Sequence, residues 1–126
     1  MVIVLQGRAH SGKTTTMNDL VTKFPSSCAI TKNPLGKNPK DFFTVFVYKG
    51  RTIGICSVGD DNRGKPLLQE PILQSFINKK INNIICACRT KGQTKNLIDT
   101  LFSSAAQYVK MSKTPASMAN DIFAMI

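Results

Sequence analysis

Val2-Ile3-Val4-Leu5-Gln6-Gly7-Arg8-Ala9-His10-Ser11-Gly12-Lys13-Thr14 decides how the rest of the chain is read. Four consecutive apolar residues, three of them β-branched, are too short a run for a helix. They predict a strand buried on both faces, as in a parallel sheet. Gly7 ends the run. From Thr14 the period changes: Met17, Leu20, Val21 and Phe24 fall at i, i+3, i+4 and i+7, which predicts an amphipathic helix over 14–24, stopped by Pro25. A glycine-bounded loop joins the two.

The same alternation continues outward. Cys28-Ala29-Ile30 reads as a short strand and 33–40, with two prolines and a glycine, as a surface loop. Phe42 to Tyr48 and Thr52 to Val58 form a hairpin across Lys49-Gly50-Arg51. Pro71 fits the first turn of a helix whose Ile72, Leu73, Phe76 and Ile77 share a face, broken at Asn82-Asn83. Ile84 to Cys88 is the next strand. Thr94 is read as the cap of a helix with Leu97, Ile98, Leu101, Phe102 and Ala105 inward. Gln107 to Met111 and Ser117 to Ile126 close the chain as strand and helix. The pattern predicts one α/β domain over 1–126: a three-layer sandwich with a mainly parallel sheet of about five strands, one antiparallel edge strand, and helices on both faces. Right-handed crossovers suggest the order 42–48, 52–58, 2–6, 84–88, 107–111, with a ligand at the carboxyl ends of the strands.

Composition narrows the class. The 126 residues, 42% hydrophobic, suit a single core, and no apolar run approaches the roughly 20 residues of a membrane span. No charged segment leads into an apolar signal core, so the expected location is cytoplasmic. Seventeen Lys and Arg against seven Asp and Glu give +10, a charge that attracts nucleotides, nucleic acid or another polyanion. The basic residues form no dense arm. The four cysteines, Cys28, Cys56, Cys86 and Cys88, fall in stretches read as buried strands. Cys86 and Cys88 share one strand face, a poor disulfide geometry, and a single His10 without any CxxC disfavours zinc. Reduced thiols are expected.

Gly7-Arg8-Ala9-His10-Ser11-Gly12-Lys13-Thr14 matches G-x-x-x-x-G-K-[ST] at every fixed position, with a strand before it and a helix after it. In this stretch the chain resembles the P-loop NTPase superfamily. The chemistry suits the residue types. Gly7 and Gly12 allow backbone amides to wrap an oxyanion, and the helix start adds its positive dipole end. The resemblance implies nucleotide contacts from Gly7, Arg8, Ala9, His10, Ser11, Gly12, Lys13, Thr14 and Thr15. Lys13 would stand near the β- and γ-phosphates, and Thr14 would face Mg²⁺.

A second element resembles the family's Walker B strand: Thr52-Ile53-Gly54-Ile55-Cys56-Ser57-Val58-Gly59-Asp60-Asp61. On this reading Asp60 holds the metal with Thr14, while Asp61 orients the attacking water or accepts its proton. Asp61-Asn62-Arg63-Gly64 also fits the D-x-x-G of small GTPases, but no N-K-x-D follows. Arg89 leaves a strand at its carboxyl end and would assist catalysis beside the phosphates; Arg63 and Lys65, or Lys91 and Lys95, would supply a basic lid. The leading function is Mg²⁺-dependent binding of ATP or GTP with hydrolysis of the β–γ bond. One alternative is a small kinase passing the γ-phosphoryl group to a small molecule or nucleic-acid end. Another is a nucleotide-stabilised module that binds nucleic acid or protein without turnover. Homo-oligomeric contacts would complete a site that lacks an obvious arginine finger.

Overall fold

The structure, a computed structural model, describes residues 1–62 and 65–126. Its elements in chain order are β1 (Val2–Gln6), α1 (Lys13–Lys23), a 3₁₀ turn (Ser26–Cys28), β2 (Asn33–Pro34), β3 (Phe42–Tyr48) and β4 (Arg51–Cys56). Then come α2 (Gln69–Asn78), β5 (Asn83–Cys88), α3 (Gln93–Phe102), a second 3₁₀ turn (Ser103–Ala105), β6 (Ala106–Lys110) and α4 (Pro115–Met125). The architecture is the expected α/β type. β4, β5, β1 and β6 are mutually parallel, and β3 returns antiparallel to β4.

The helices divide between the two faces of the sheet, and alternation along each strand assigns its side chains. Ile3 and Leu5 of β1 pack with Met17 and Leu20 of α1 and with Met118 and Ile122 of α4. Val2 and Val4 point the other way, into a cluster with Leu73 and Phe76 of α2 and Ile98 and Phe102 of α3. Truncating a fully buried side chain such as Leu20 or Leu73 to Ala costs about 2–5 kcal/mol. No helix among the described residues is long and apolar enough to cross a membrane.

The strand order differs from the expectation. It runs β2-β3-β4-β5-β1-β6, so β5 rather than β1 lies beside β4. Every residue of β1 and of β5 is buried, so hydrophobicity qualifies both for the interior and cannot rank them. Packing of the crossover helix decides. The Phe76 ring of α2 packs against Gly54 of β4, its nearest atoms 3.0 Å from where a Cβ would stand. That contact holds α2 over β4 and delivers the next strand to β4's free edge. The half-buried β6 then closes the far side of β1.

Local corrections follow from turns and caps. Cys28 belongs to a 3₁₀ turn ended by Ala29 in the left-handed region, not to a strand, and is only half-buried. Asn33 and Pro34, inside the expected loop, pair with β3 and make a sixth strand, so β3 is not the outermost one. The hairpin is tighter than expected: Lys49 and Gly50 both have positive φ, a two-residue turn that pairs Tyr48 with Arg51. β4 ends at Cys56. Gly92, not Thr94, stands at the cap position of α3. α4 starts two residues early, where Thr114 accepts a hydrogen bond from the Ser117 amide and Pro115 fills the first turn.

Candidate functional site

The loop between β1 and α1 lies at the carboxyl edge of the sheet. The Gly7 amide donates to the Cys88 carbonyl at 3.1 Å, so β1 and β5 stay paired up to the loop. Gly12 enters α1 with φ 94°, a conformation that disfavours any side chain. Gly7 is crowded as well: the Ser11 Oγ stands 2.5 Å from the place of a Cβ. His10 takes φ 60° without glycine's freedom, which marks a tightly wound segment. No side chain caps α1, and the Ser11 hydroxyl oxygen is buried without a partner among the described residues.

Lys13 turns back over this loop. Its Nζ donates to the carbonyls of Gly7 at 2.8 Å and Arg8 at 2.7 Å, and reaches the Asp60 carboxylate at 3.5 Å. The side chain is 5% exposed. Burial lowers its pKa from the ordinary lysine value, and Asp60 only partly offsets that loss of hydration. Three oxygens therefore hold a buried ammonium on the wall of a cavity of about 350 Å³. His10, Ser11, Gly12, Lys13, Thr14 and Thr15 line one side of it; Asn38, Lys40 and Asp41, then Val58, Gly59 and Asp60, line the others. That size lies at the lower end of ligand pockets.

The expected residues separate into groups. Lys13, Asp60 and Arg89 come together, the Arg89 Nε lying 3.6 Å from the same Asp60 oxygen that Lys13 approaches. Arg89 is held by its backbone: its amide donates to the Thr94 hydroxyl, and Gln6 donates to its carbonyl. Gly7, Arg8 and Ala9 shape the loop without lining the cavity. Asp61 faces away from it. Its Oδ1 accepts from the Thr94 amide at 3.0 Å and so satisfies the first turn of α3. Lys95 is engaged elsewhere, bonded to Asp99 at 2.5 Å and stacked 4.5 Å over the Tyr108 ring. Lys65 and Lys91 are exposed outside the cavity lining. Arg63 and Gly64 lie outside the described residues.

Sequence reasoning missed Asp41. The Thr14 hydroxyl donates to the Asp41 Oδ1 at 2.9 Å, and the Ser57 hydroxyl donates to the same oxygen at 3.2 Å. Ser57 is fully buried; its Oγ accepts from the Phe42 amide, and its own amide donates to the Phe42 carbonyl. The polar Ser57 ending an apolar strand was the one available signal. Lys40 and Asn38 were also unmarked. Oxygen donors from Thr14, Asp41 and Asp60 on one cavity suit a hard dication such as Mg²⁺, which takes one or two carboxylates beside phosphate oxygens. No group of three or more His, Cys, Asp or Glu side chains that could hold a metal occurs among the described residues.

Comparison with protein-family models, with curated proteins and with solved structures yields no match.

Proposed function

We propose that the chain is a P-loop NTPase-like protein that binds Mg²⁺-ATP or Mg²⁺-GTP in the cavity at the start of α1 and hydrolyses the β–γ bond. The observation that carries this reading is the buried Lys13 ammonium beside an uncapped helix N-terminus. It is held by two loop carbonyls and one carboxylate, which can be exchanged for phosphate oxygens. Lys13 and Arg89 supply positive charge toward the terminal phosphates, Lys40 adds a cation on the cavity wall, and the α1 amides orient the chain of phosphates. The metal, held through Thr14 and a neighbouring carboxylate, would neutralise charge between the β- and γ-phosphates. The free thiols suit a reducing compartment such as the cytoplasm.

A second reading, nucleotide binding without turnover, is favoured by the position of Asp61. Its carboxylate is already spent on the Thr94 amide instead of standing at the cavity. The test measures binding of ATP, GTP and their diphosphates with and without Mg²⁺, beside phosphate release with and without candidate acceptors. Hydrolysis predicts acceptor-independent phosphate release that Lys13→Ala abolishes and that Asp61→Asn, a change outside the cavity lining, leaves in place. Binding without release supports the second reading. No binding of any nucleotide rejects both.

A further inference from the structure

We propose that Asp41, at the entry to the antiparallel strand β3, is the metal-holding carboxylate of this site, and that Asp60 is not. The inference rests on the nucleotide-binding reading above and deepens it. Three observations separate the two carboxylates.

The first is contact with Thr14. The Thr14 oxygen lies 2.9 Å from Asp41 Oδ1, whereas Asp60 makes no hydrogen bond to Thr14. Two adjacent oxygens of an octahedral Mg²⁺ shell, each about 2.0–2.1 Å from the ion, stand about 2.9 Å apart. Thr14 and Asp41 therefore already have the spacing of neighbouring ligands, and the hydroxyl, keeping its proton, need only turn its O–H away from Asp41 to present a lone pair to the ion.

The second is charge. One oxygen of Asp60 is shared by Lys13 at 3.5 Å and Arg89 at 3.6 Å, so a dication there would meet two cations and compete with both. Asp41 forms no ion pair among the described residues; its partners are the neutral hydroxyls of Thr14 and Ser57. The third is rigidity. The Asp41 amide donates to the Asn38 carbonyl, its carbonyl accepts from the Leu35 amide, and Ser57 ties the next residue through the Phe42 amide. Asn18 of α1 donates to the Lys40 carbonyl, fixing the same segment to the helix that carries Thr14. The carboxylate is held in place before any ion arrives.

In this arrangement the two carboxylates have different work. Asp41 recruits the metal, and Asp60 screens Lys13 and Arg89 from each other until phosphate oxygens take its place.

The test is calorimetric titration with the β,γ-imido analogues of ATP and GTP, in Mg²⁺ and in EDTA, on the whole chain and on Asp41→Asn and Asp60→Asn. With the unaltered chain Mg²⁺ should raise affinity at least tenfold. Asp41→Asn should reduce that gain to less than twofold while leaving affinity in EDTA equal or higher. Asp60→Asn should keep the Mg²⁺ gain and raise affinity in EDTA. If Asp41→Asn fails to fold, Asp41→Glu, which keeps the charge but moves it by one methylene, should cut the gain at least fivefold. A Mg²⁺ gain that survives the Asp41 substitutions and disappears in Asp60→Asn overturns the assignment and leaves nucleotide binding standing. An unaltered chain that binds neither analogue in either buffer overturns nucleotide binding itself.

Discussion

Two helices begin at the same edge of the sheet, each behind a glycine with positive φ, and end up in different surroundings. α1 follows β1 through a loop ending in Gly12 at φ 94°, and α3 follows β5 through a loop ending in Gly92 at φ 105°. Each offers free amides and the positive end of a helix dipole to whatever lies above the strands. At α3 the protein meets that demand itself, because Asp61 reaches across from the loop after β4 and accepts from the Thr94 amide. At α1 no side chain caps the helix, and a buried lysine adds a further positive charge. A glycine-led helix start is therefore a closed structural joint in one place and an uncapped cavity wall with a buried ammonium in the other. The difference lies in one carboxylate and one lysine.

The largest effect that can break this comparison is at Lys13. Its Nζ would make charge-assisted bonds to phosphate oxygens, each worth about 1.5–3 kcal/mol. Lys13→Ala should weaken binding of a triphosphate analogue by about a hundredfold, read by calorimetry. Unchanged affinity would reduce α1 to an ordinary helix start. Asp61→Ala acts on the other helix: it should lower the unfolding free energy by about 1–2 kcal/mol in urea, through the uncapped first turn of α3. A stability loss with nucleotide affinity intact would keep the two helix starts distinct, whereas an equal loss of affinity would merge them. A smaller effect is expected at Asp60, whose carboxylate occupies the space between Lys13 and Arg89. Asp60→Asn should raise metal-free triphosphate affinity by about two- to fivefold, the scale of one partly exposed ion pair released. A fall would show that Asp60 helps to bind the ligand and does not compete with it.

How much of this could be read from residues alone depends on the range of the interactions involved. The strand, loop and helix of residues 2–23 were legible because hydrophobic period, glycine placement and lysine chemistry all act within a few residues. The α/β layering was legible for the same reason. The neighbour of β4 was not, since Val2 to Gln6 and Asn83 to Cys88 are equally buried and the choice rests on Phe76 seating against Gly54. Asp41 was illegible for a related reason. It meets Thr14, 27 positions away, only after the β3–β4 register has brought Phe42 to Ser57. Asp60 and Asp61 look alike as neighbours in sequence, yet one faces Lys13 and the other the start of α3.

The smallest expected effect, and the one that sharpens the comparison most, is on pH. Burial lowers the Lys13 pKa below 10.5, so between that lowered value and 10.5 the unfolded chain carries more protons than the folded one. Stability supplied by this group therefore rises with pH through that window, opposite to the behaviour of a lysine stabilised by a salt bridge. Phosphate binding has the other sign, because it needs the ammonium. Triphosphate affinity should decline as pH climbs through the lowered value, and binding there should draw a proton from the buffer, detectable as a dependence of calorimetric heat on buffer ionisation enthalpy. Asp60 raises the Lys13 pKa, so Asp60→Asn should move the onset of the decline to lower pH. Asp61→Ala should leave the onset where it is, since Asp61 is not among the groups acting on Lys13. If Asp61→Ala moved it as far as Asp60→Asn does, the two helix starts would share one electrostatic field instead of being separated by the placement of a single carboxylate.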